Sequence, residues 1–284
     1  DNDGDIYATA NGLYDANARI IKLGGFLSNL TIDNSGDMEA TATTSYSDTT
    51  SYYGNANARV IHTGEAIKDY TITNSGDMTA YASTTVYNGA EVSAGADAVH
   101  MGHSIEDFTF TNTGTVDIDA IAVGTDVDAS TGYEVKANAS GVHMGYNAAN
   151  ITIDNAEMSI NASATGTNVG YEVTSIANGV HIGSDNGSYP SSNVNITNSE
   201  LMEVSASSTG TSIRTDASSN ASAVHMGGNV TDFSFINTGL VDVDATSTAL
   251  NSTSGGAFAH ADGVKLGYNV ATLENDVNTI TTSG

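Results

Sequence analysis

The chain has 284 residues, of which 30 are glycine and one is proline, and it contains no cysteine and no tryptophan. Without cysteine it can form neither disulfides nor thiolate metal sites, and c-type haem cannot be attached. The 33 acidic and seven basic residues give a net charge of −26, which repels the phosphates of nucleic acids and the headgroups of anionic lipids. We therefore expect no nucleic-acid partner and no insertion into a membrane.

The chain is built from one internal repeat. A glycine that follows a short Val-His-Met type of run marks its period at Gly24, Gly64, Gly102, Gly145, Gly183, Gly227 and Gly267. Successive marker glycines are 38 to 44 residues apart. Self-similarity at such a period is typical of solenoids and propellers, so we predict a single repeat domain over residues 1–284.

The chain begins and ends part-way through this repeat. Residues 2–10 match the second half of the unit that reads in full at 71–82, and residues 279–284 match its first half. The 24 residues up to the first marker glycine and the 17 after the last one together make 41, the length of one unit. We therefore expect the two half-coils to be complementary, either within one ring-shaped molecule or between molecules.

A first strand is predicted after each marker glycine, because apolar residues alternate there, as in Phe108 and Phe110. An asparagine with the same parity ends this strand in six units: Asn34, Asn74, Asn112, Asn155, Asn198 and Asn237. Serine or threonine and then glycine usually follow, which predicts a turn in which the glycine takes a positive φ. Asparagines stacked in register could hydrogen-bond through their amides along the solenoid axis.

A second alternating strand leaves the turn, and its buried side chains become smaller along it, as in Met78, Ala80 and Ala82. A variable polar loop follows, and a third run such as residues 56–60 leads back to the next marker glycine. Two facing rows of alanine predict a thin, tightly packed arm.

Columns of identical small residues predict an all-β fold, a parallel β-solenoid of about seven large coils of about 40 residues each. A seven-bladed β-propeller would also consist of seven units of about 40 residues, and it is the alternative. The absence of tryptophan and the rows of alanine favour the solenoid, because propeller blades usually pack through larger side chains.

Two stretches resemble the coils of a known class of exported protein. Thr-Ile-Thr-Asn-Ser-Gly-Asp-Met at 71–78 and Phe-Thr-Asn-Thr-Gly-Thr-Val-Asp-Ile at 110–118 are similar to the turns of secreted β-helical adhesins, especially autotransporter passengers and haemagglutinin-like exoproteins. The resemblance extends over nearly the whole chain, although the unit here is longer than the usual passenger rung. It implies a secreted protein of the cell surface or the extracellular matrix.

Histidines form one column two residues before the marker glycine: His62, His100, His143, His181 and His225. Neutral imidazoles in a row could bind transition-metal ions. Lys22 and Lys265 hold the same position in the first and last units, and an ammonium group has no lone pair to offer a metal. The lysines therefore favour the alternative, a stack of rings on the solvent face.

Carboxylates lie on the outward face of the second strand: Asp37, Glu39, Asp77, Asp117, Asp119, Glu157, Glu203, Asp242 and Asp244. Stacked carboxylates repel one another unless a cation or water screens them. No cofactor is required by the sequence, but calcium could bridge these carboxylates, with Asp117, Asp119, Asp242 and Asp244 as candidate ligands, and a solvated acidic face is the alternative.

No catalytic residue and no enzyme activity are predicted. The acidic residues recur at the same positions of successive units, whereas a catalytic residue is expected at a position that departs from the repeat. The end coils of a solenoid expose unpaired backbone groups that recruit other chains. We therefore expect a secreted structural subunit that polymerises head to tail into an extracellular β-solenoid filament, as in a biofilm matrix. Its partner is itself, with cell-surface or matrix glycans as further ligands.

The split coil predicts the residues of the assembly interface: Asn2, Gly4, Ile6, Ala8, Ala10, Val277, Ile280, Ser283 and Gly284. Two other functions stay open from the sequence. One is an adhesin or passenger segment that does not polymerise, and the other is a propeller-type module that binds glycans or calcium.

Overall fold

A computed structural model of the chain describes residues 1–47, 53–64, 66–88, 91–127, 133–183, 190–211, 216–251, 255–267, 269–270 and 279–282. Its strands are β1 Ile6–Gly12, β2 Asp15–Leu23, β3 Phe26–Asn34, β4 Met38–Ser47, β5 Gly54–Thr63, β6 Ala66–Asn74, β7 Met78–Tyr87, β8 Val92–Met101, β9 Ile105–Thr125, β10 Val135–Met144, β11 Ala148–Thr167, β12 Val173–Ile182, β13 Ser191–Asn198, β14 Met202–Thr211, β15 Ala217–Met226, β16 Asn229–Asn237, β17 Val241–Leu250, β18 Ala257–Leu266, β19 Asn269–Val270 and β20 Thr279–Thr282. Across this part of the chain, no helix is long and apolar enough to cross a bilayer.

The strands pair in parallel with their counterparts one repeat away. Met38 lies beside Met78, and Met78 lies beside Val116. Strands that are neighbours in space are therefore a whole coil apart in sequence, which is the topology of a parallel β-solenoid. The propeller alternative is wrong, because the strands of a blade follow one another along the chain and pair antiparallel.

The number of turns is close to the prediction. One column of aligned residues consists of Ile6, Met38, Met78, Val116, Met158, Met202 and Val241. The chain makes six turns between its first and last members, so the solenoid has about six turns where the sequence predicted about seven coils.

Each coil contributes to two sheets. Sheet A contains the predicted first and second strands, which meet at the asparagine corner and run on without a break in β9 and β11. Sheet B contains the seven strands β2, β5, β8, β10, β12, β15 and β18, which are the predicted third runs. The second strands pack face to face against sheet B, as β4 does on β5.

Side-chain size follows this cross-section. The large fully buried side chains of the first strands include Tyr70, Phe108, Phe110, Phe233 and Phe235. In the arm, Ala40 and Ala42 of β4 and Ala56 and Ala58 of β5 are completely buried. Facing rows of buried alanine therefore lie between β4 and β5, as the sequence predicts for the arm.

The corner glycines are required for a different reason from the one predicted. Gly36, Gly76 and Gly114 do not have positive φ values. A Cβ on Gly76 would come closer than 3.0 Å to the carbonyl oxygen of Gly36 in the preceding coil. Glycine is therefore needed at the corner because successive coils touch there.

Positive φ values occur instead at asparagines and aspartates of the first strands. The φ angle is between 51° and 56° at six of them: Asn29, Asp69, Asp107, Asn150, Asn193 and Asp232. Asparagine and aspartate are the residues other than glycine that most readily adopt this left-handed conformation.

Candidate functional site

The asparagine column forms a continuous ladder of side-chain hydrogen bonds. Asn34 Nδ2 donates to Asn74 Oδ1 at 2.7 Å, and Asn74 Nδ2 donates to Asn112 Oδ1 at 2.8 Å. The same bond continues through Asn155, Asn198 and Asn237 at 2.9 to 3.1 Å. The ladder predicted from the sequence is present, and it links the six coils that carry these asparagines.

The predicted residues at the N-terminal end form the first half-coil of the solenoid. Asn2 donates to Asn34 Oδ1 at 2.7 Å and so becomes the first member of the ladder. Ile6, Ala8 and Ala10 of β1 lie beside Met38, Ala40 and Ala42, and Gly4 lies against Gly36 at the corner. Together they form one end of sheet A.

At the other end, the backbone of Ile280 in β20 pairs with Phe235 of β16. Val277, Ser283 and Gly284, which were also predicted to take part in assembly, lie outside the described residues.

Both half-coils reach the same corner of the solenoid. Asn2 pairs with Asn34, and Thr282 pairs with Asn237. The two half-coils therefore overlap at this corner, so the 41-residue sum does not correspond to one seamless coil.

Within the part of the chain that the structure describes, both ends of the solenoid are open edges. Each of β1, β2 and β3 pairs there with a neighbouring strand on one side only, and so do β17 and β18. Large apolar side chains are uncovered there: Phe26 is 86% exposed and Phe258 is 49% exposed. Such edges offer unpaired backbone groups and apolar surface to another parallel strand.

One column of sheet B carries opposite charges at its two ends. It runs through Arg19, Arg59, Asp97, Ser140, Asn178, Ser222 and Asp262. Arg19 Nε is buried without a hydrogen-bond partner, whereas Arg59 Nε lies 3.0 Å from Asp97 Oδ2 in the next coil. Asp262 forms no ion pair with any described residue.

The histidine column is a stack of rings on the outer face of sheet B. Ring centroids of successive histidines are 5.1, 4.7, 4.9 and 4.7 Å apart from His62 to His225. Burial, with a smaller contribution from Arg59, lowers the pKa of His62 to about 4. Burial also lowers the pKa of His143 and of His181. The predicted stack is confirmed, and these three rings are uncharged at neutral pH.

A buried carboxylate that the sequence analysis missed lies beside this stack. The Asp97 side chain is only 9% exposed, and its Oδ2 lies 3.0 Å from both His100 Nδ1 and Arg59 Nε. Its Oδ1 lies 4.0 Å from His143 Nδ1. Burial opposes ionisation of Asp97, but His100, His143 and Arg59 hold its pKa well below the usual range.

Asp97, His100 and His143 could together hold a metal ion, because one ligand atom of each lies within 4.8 Å of the other two. Among the described residues, no other set of three histidine or carboxylate side chains is placed in this way. The sequence does carry a signal for it. In the Arg19 column, Asp97 is an acidic residue between Arg59 and Ser140, three residues before a histidine of the stack.

The predicted calcium ligands are not brought together in one place. Ser159 and Glu203 lie between Asp117 and Asp242, and Asn161 and Ser205 lie between Asp119 and Asp244. Two full coils therefore separate the two acidic pairs, and Asp119 Oδ1 accepts a hydrogen bond from Asn161 Nδ2 at 3.0 Å.

Another part of the acidic stripe holds neighbouring coils together. The backbone N–H of Asp77 donates to Asp37 Oδ1 at 3.1 Å, and the backbone N–H of Thr115 donates to Asp77 Oδ1 at 3.1 Å. These carboxylates therefore pair with the backbone of the following coil.

Comparison of the chain with known protein families, with characterised proteins and with solved structures finds no match.

Proposed function

We propose that this protein is a structural subunit that assembles head to tail into a β-solenoid filament. In this filament, the end formed by β17, β18 and β20 of one molecule stacks on the end formed by β1, β2 and β3 of the next. The observation that carries the proposal is that the two ends offer the same columns in the same register, with opposite charges at Arg19 and Asp262.

The apolar columns would continue through the joint. When the register of the solenoid is extended by one coil, the pairs that meet are Val241 with Ile6, Val243 with Ala8, Ala245 with Ala10, Val264 with Ile21 and Leu266 with Leu23. Backbone hydrogen bonds between strand edges supply affinity in such a joint, and side-chain columns fix its register. A head-to-tail contact of this kind does not close, so it generates filaments.

Charge pairing supports the same register. Asp262 of one molecule would lie beside Arg19 of the next, where opposite charges directly across a strand pair are favourable. Lys265 would lie beside Lys22, which is unfavourable, but both lysines are exposed and solvent screens them.

A secreted, extracellular setting is part of the proposal. Its support is the resemblance of residues 71–78 and 110–118 to the coils of β-helical adhesins and exoproteins. Detecting the protein with antibody on intact cells of its source, before and after surface proteolysis, tests this setting.

The filament is tested by electron microscopy of the purified chain over a range of concentrations. The seven strands that each subunit contributes to sheet B, at about 4.8 Å each, predict a subunit repeat of roughly 34 Å. Compact monomers alone at high concentration would contradict the proposal.

A charge swap tests the joint itself. Arg19→Asp and Asp262→Arg should each slow filament growth at least tenfold in light scattering, because like charges then meet at the joint. The double variant should restore growth, since the pair is re-formed in the opposite sense. Circular dichroism of the monomers controls for folding, and a folded double variant that stays monomeric counts against this register.

A further inference from the structure

The outer face of sheet B holds a group of side chains that assembly does not use. Asp97 and His100 project from β8 and His143 projects from β10, on strands held in register by backbone pairing of His100 with His143. They line a cleft of about 240 Å³ that also contains Asn138, Ser140 and Asn178.

We propose that Asp97, His100 and His143 bind one divalent transition-metal ion of the zinc class, which bridges two successive coils. Two imidazoles and one carboxylate are a common donor set for zinc and its neighbours. The site would be specific to this place in the chain, and it would not repeat along the histidine column.

The distances fit such a site with small adjustments. Metal–ligand bonds of about 2.0–2.1 Å place tetrahedral donor atoms roughly 3.4 Å apart. Here Asp97 Oδ2 is 3.0 Å from His100 Nδ1, and Asp97 Oδ1 is 4.0 Å from His143 Nδ1. All three donor atoms lie within 4.8 Å of one another, so movements of less than about 1 Å complete the geometry.

Arg59 positions the carboxylate. Its Nε lies 3.0 Å from Asp97 Oδ2, and its Nη1 lies 3.0 Å from His62 Nδ1. This contact fixes one oxygen of Asp97 and leaves Oδ1 on the side of His143. It also satisfies the buried carboxylate before any metal arrives, so the protein folds without the ion, and the positive charge moderates the affinity.

Among the described residues, the position that Asp97 occupies carries no carboxylate in the coils of His181 and His225. Asn178 and Ser222, beside His181 and His225, stand at the positions that correspond to Asp97. A pair of stacked imidazoles alone offers two ligands, which is fewer than the three protein ligands of known zinc centres. This difference predicts one ion per chain.

The test is calorimetric titration of the full chain with Zn²⁺, using protein that carries no polyhistidine tag. We expect one saturable site per chain. His143→Gln should weaken Zn²⁺ at least tenfold, and Asp97→Asn should do the same. His225→Gln is the matched control, because it removes a histidine of the same column far from the carboxylate, and it should leave binding unchanged.

A second measurement separates metal binding from loss of structure. Zn²⁺ should raise the melting temperature of the wild type and of His225→Gln but not of His143→Gln, and Co²⁺ should give visible absorption bands of nitrogen and oxygen ligation only where Asp97 and His143 are intact. His143→Gln keeps the Arg59–Asp97 pair, so it decides the question if Asp97→Asn fails to fold.

Absence of saturable binding would overturn the proposal, as would binding that survives both His143→Gln and Asp97→Asn. Several ions per chain, with fewer in His225→Gln, would assign the metal to the whole histidine column instead. All of these measurements use the monomer, so they are independent of filament formation.

Discussion

At the scale of single residues, the asparagine ladder explains why one amide side chain recurs at the corner. In four of the six asparagines, Nδ2 donates both to the next asparagine and to a backbone oxygen two residues on, as Asn74 does to Gly76 at 2.5 Å; these are Asn34, Asn74, Asn112 and Asn198. An aspartate could not donate these bonds, and a glutamine would carry one methylene too many for the closely packed corner. Buried amides are tolerated here because every coil supplies the partner of the next one.

Asn74→Ala tests the ladder. The substitution removes the donor to Gly76 O and to Asn112 Oδ1 and one of the two acceptors of Asn34 Nδ2, which keeps its bond to Gly36 O, and unsatisfied buried groups are costly. We expect a loss of about 2–4 kcal/mol in the free energy of unfolding, measured by urea titration followed by circular dichroism. Asn2→Ala is the control, since Asn2 lies at the open end with its side chain half-buried, and it should cost less than half as much. Equal losses in the two variants would argue against a cooperative ladder.

At the scale of elements, the distance between coils is limited by backbone contacts at the corner. A Cβ on Gly36, Gly76 or Gly114 would meet the carbonyl oxygen of the preceding coil at less than 3.0 Å. Neighbouring strands in a sheet are about 4.8 Å apart, and a turn that kept its side chains between the coils would force them further apart. The glycines at the corner therefore allow successive coils to come close enough for the strands of both sheets to form hydrogen bonds.

Gly76→Ala should therefore destabilise the protein through crowding against rigid backbone, by about 1–3 kcal/mol. Gly4→Ala is a matched change at the same corner in the first coil, where an added Cβ meets nothing within 4 Å, and it should leave the free energy of unfolding almost unchanged. Thermal melting followed by circular dichroism compares the two. A Gly76→Ala variant as stable as Gly4→Ala would show that the coils can separate at the corner at little cost.

The sequence predicts the regular part of this structure well, because alternation and repetition are both visible in it. Leu30 and Ile32, the asparagine row and the alanine arm all follow from a period of two residues within a repeat of about 40. The corner glycines were identified as turn residues for the wrong reason, because contact between coils leaves no mark in a single unit.

Asp97 was missed because sheet B departs from strict alternation at this point. Ala98 and Val99 are both completely buried, and the pairing of β8 with β10 skips Ala98 together with Gly141 opposite it, with no change of register. Strict alternation would place Asp97 and His100 on opposite faces, since they are three residues apart. In the structure both side chains lie on the same face, with Asp97 Oδ2 at 3.0 Å from His100 Nδ1, and only the three-dimensional register shows this.

At the scale of the whole molecule, the histidine stack couples stability to pH along most of the solenoid. His62, His143 and His181 have lowered pKa values, with burial as the largest cause in each. Arg59, Arg19 and His100 face His62 and add to the effect, while Asp97 opposes it. His143, His225 and Lys265 act in the same way on His181. Protonation of one ring is therefore opposed by its own burial and by charged groups on neighbouring coils.

The direction of the pH dependence follows from these shifts. An unfolded histidine titrates near pH 6.5, whereas these folded rings stay neutral to lower pH, so between about pH 6.5 and 4 the unfolded chain binds more protons. Stability is then full above about pH 6.5 and falls as the pH is lowered through this window. Burial raises the pKa of Asp117 and of Glu134. The folded chain therefore binds these two protons more readily than the unfolded chain, which increases stability as the pH falls and partly offsets the effect of the histidines.

A variant isolates the part of this dependence that the stack contributes. The urea midpoint of the wild type should fall between pH 7.5 and 5.0, and His181→Gln should reduce the difference between the two midpoints, because the buried ring that resists protonation is gone. His103→Gln removes an exposed histidine outside the stack and should leave the difference as in the wild type. If His181→Gln and the wild type lose the same stability over this range, the pH dependence comes from the carboxylates, and the stack is indifferent to protonation.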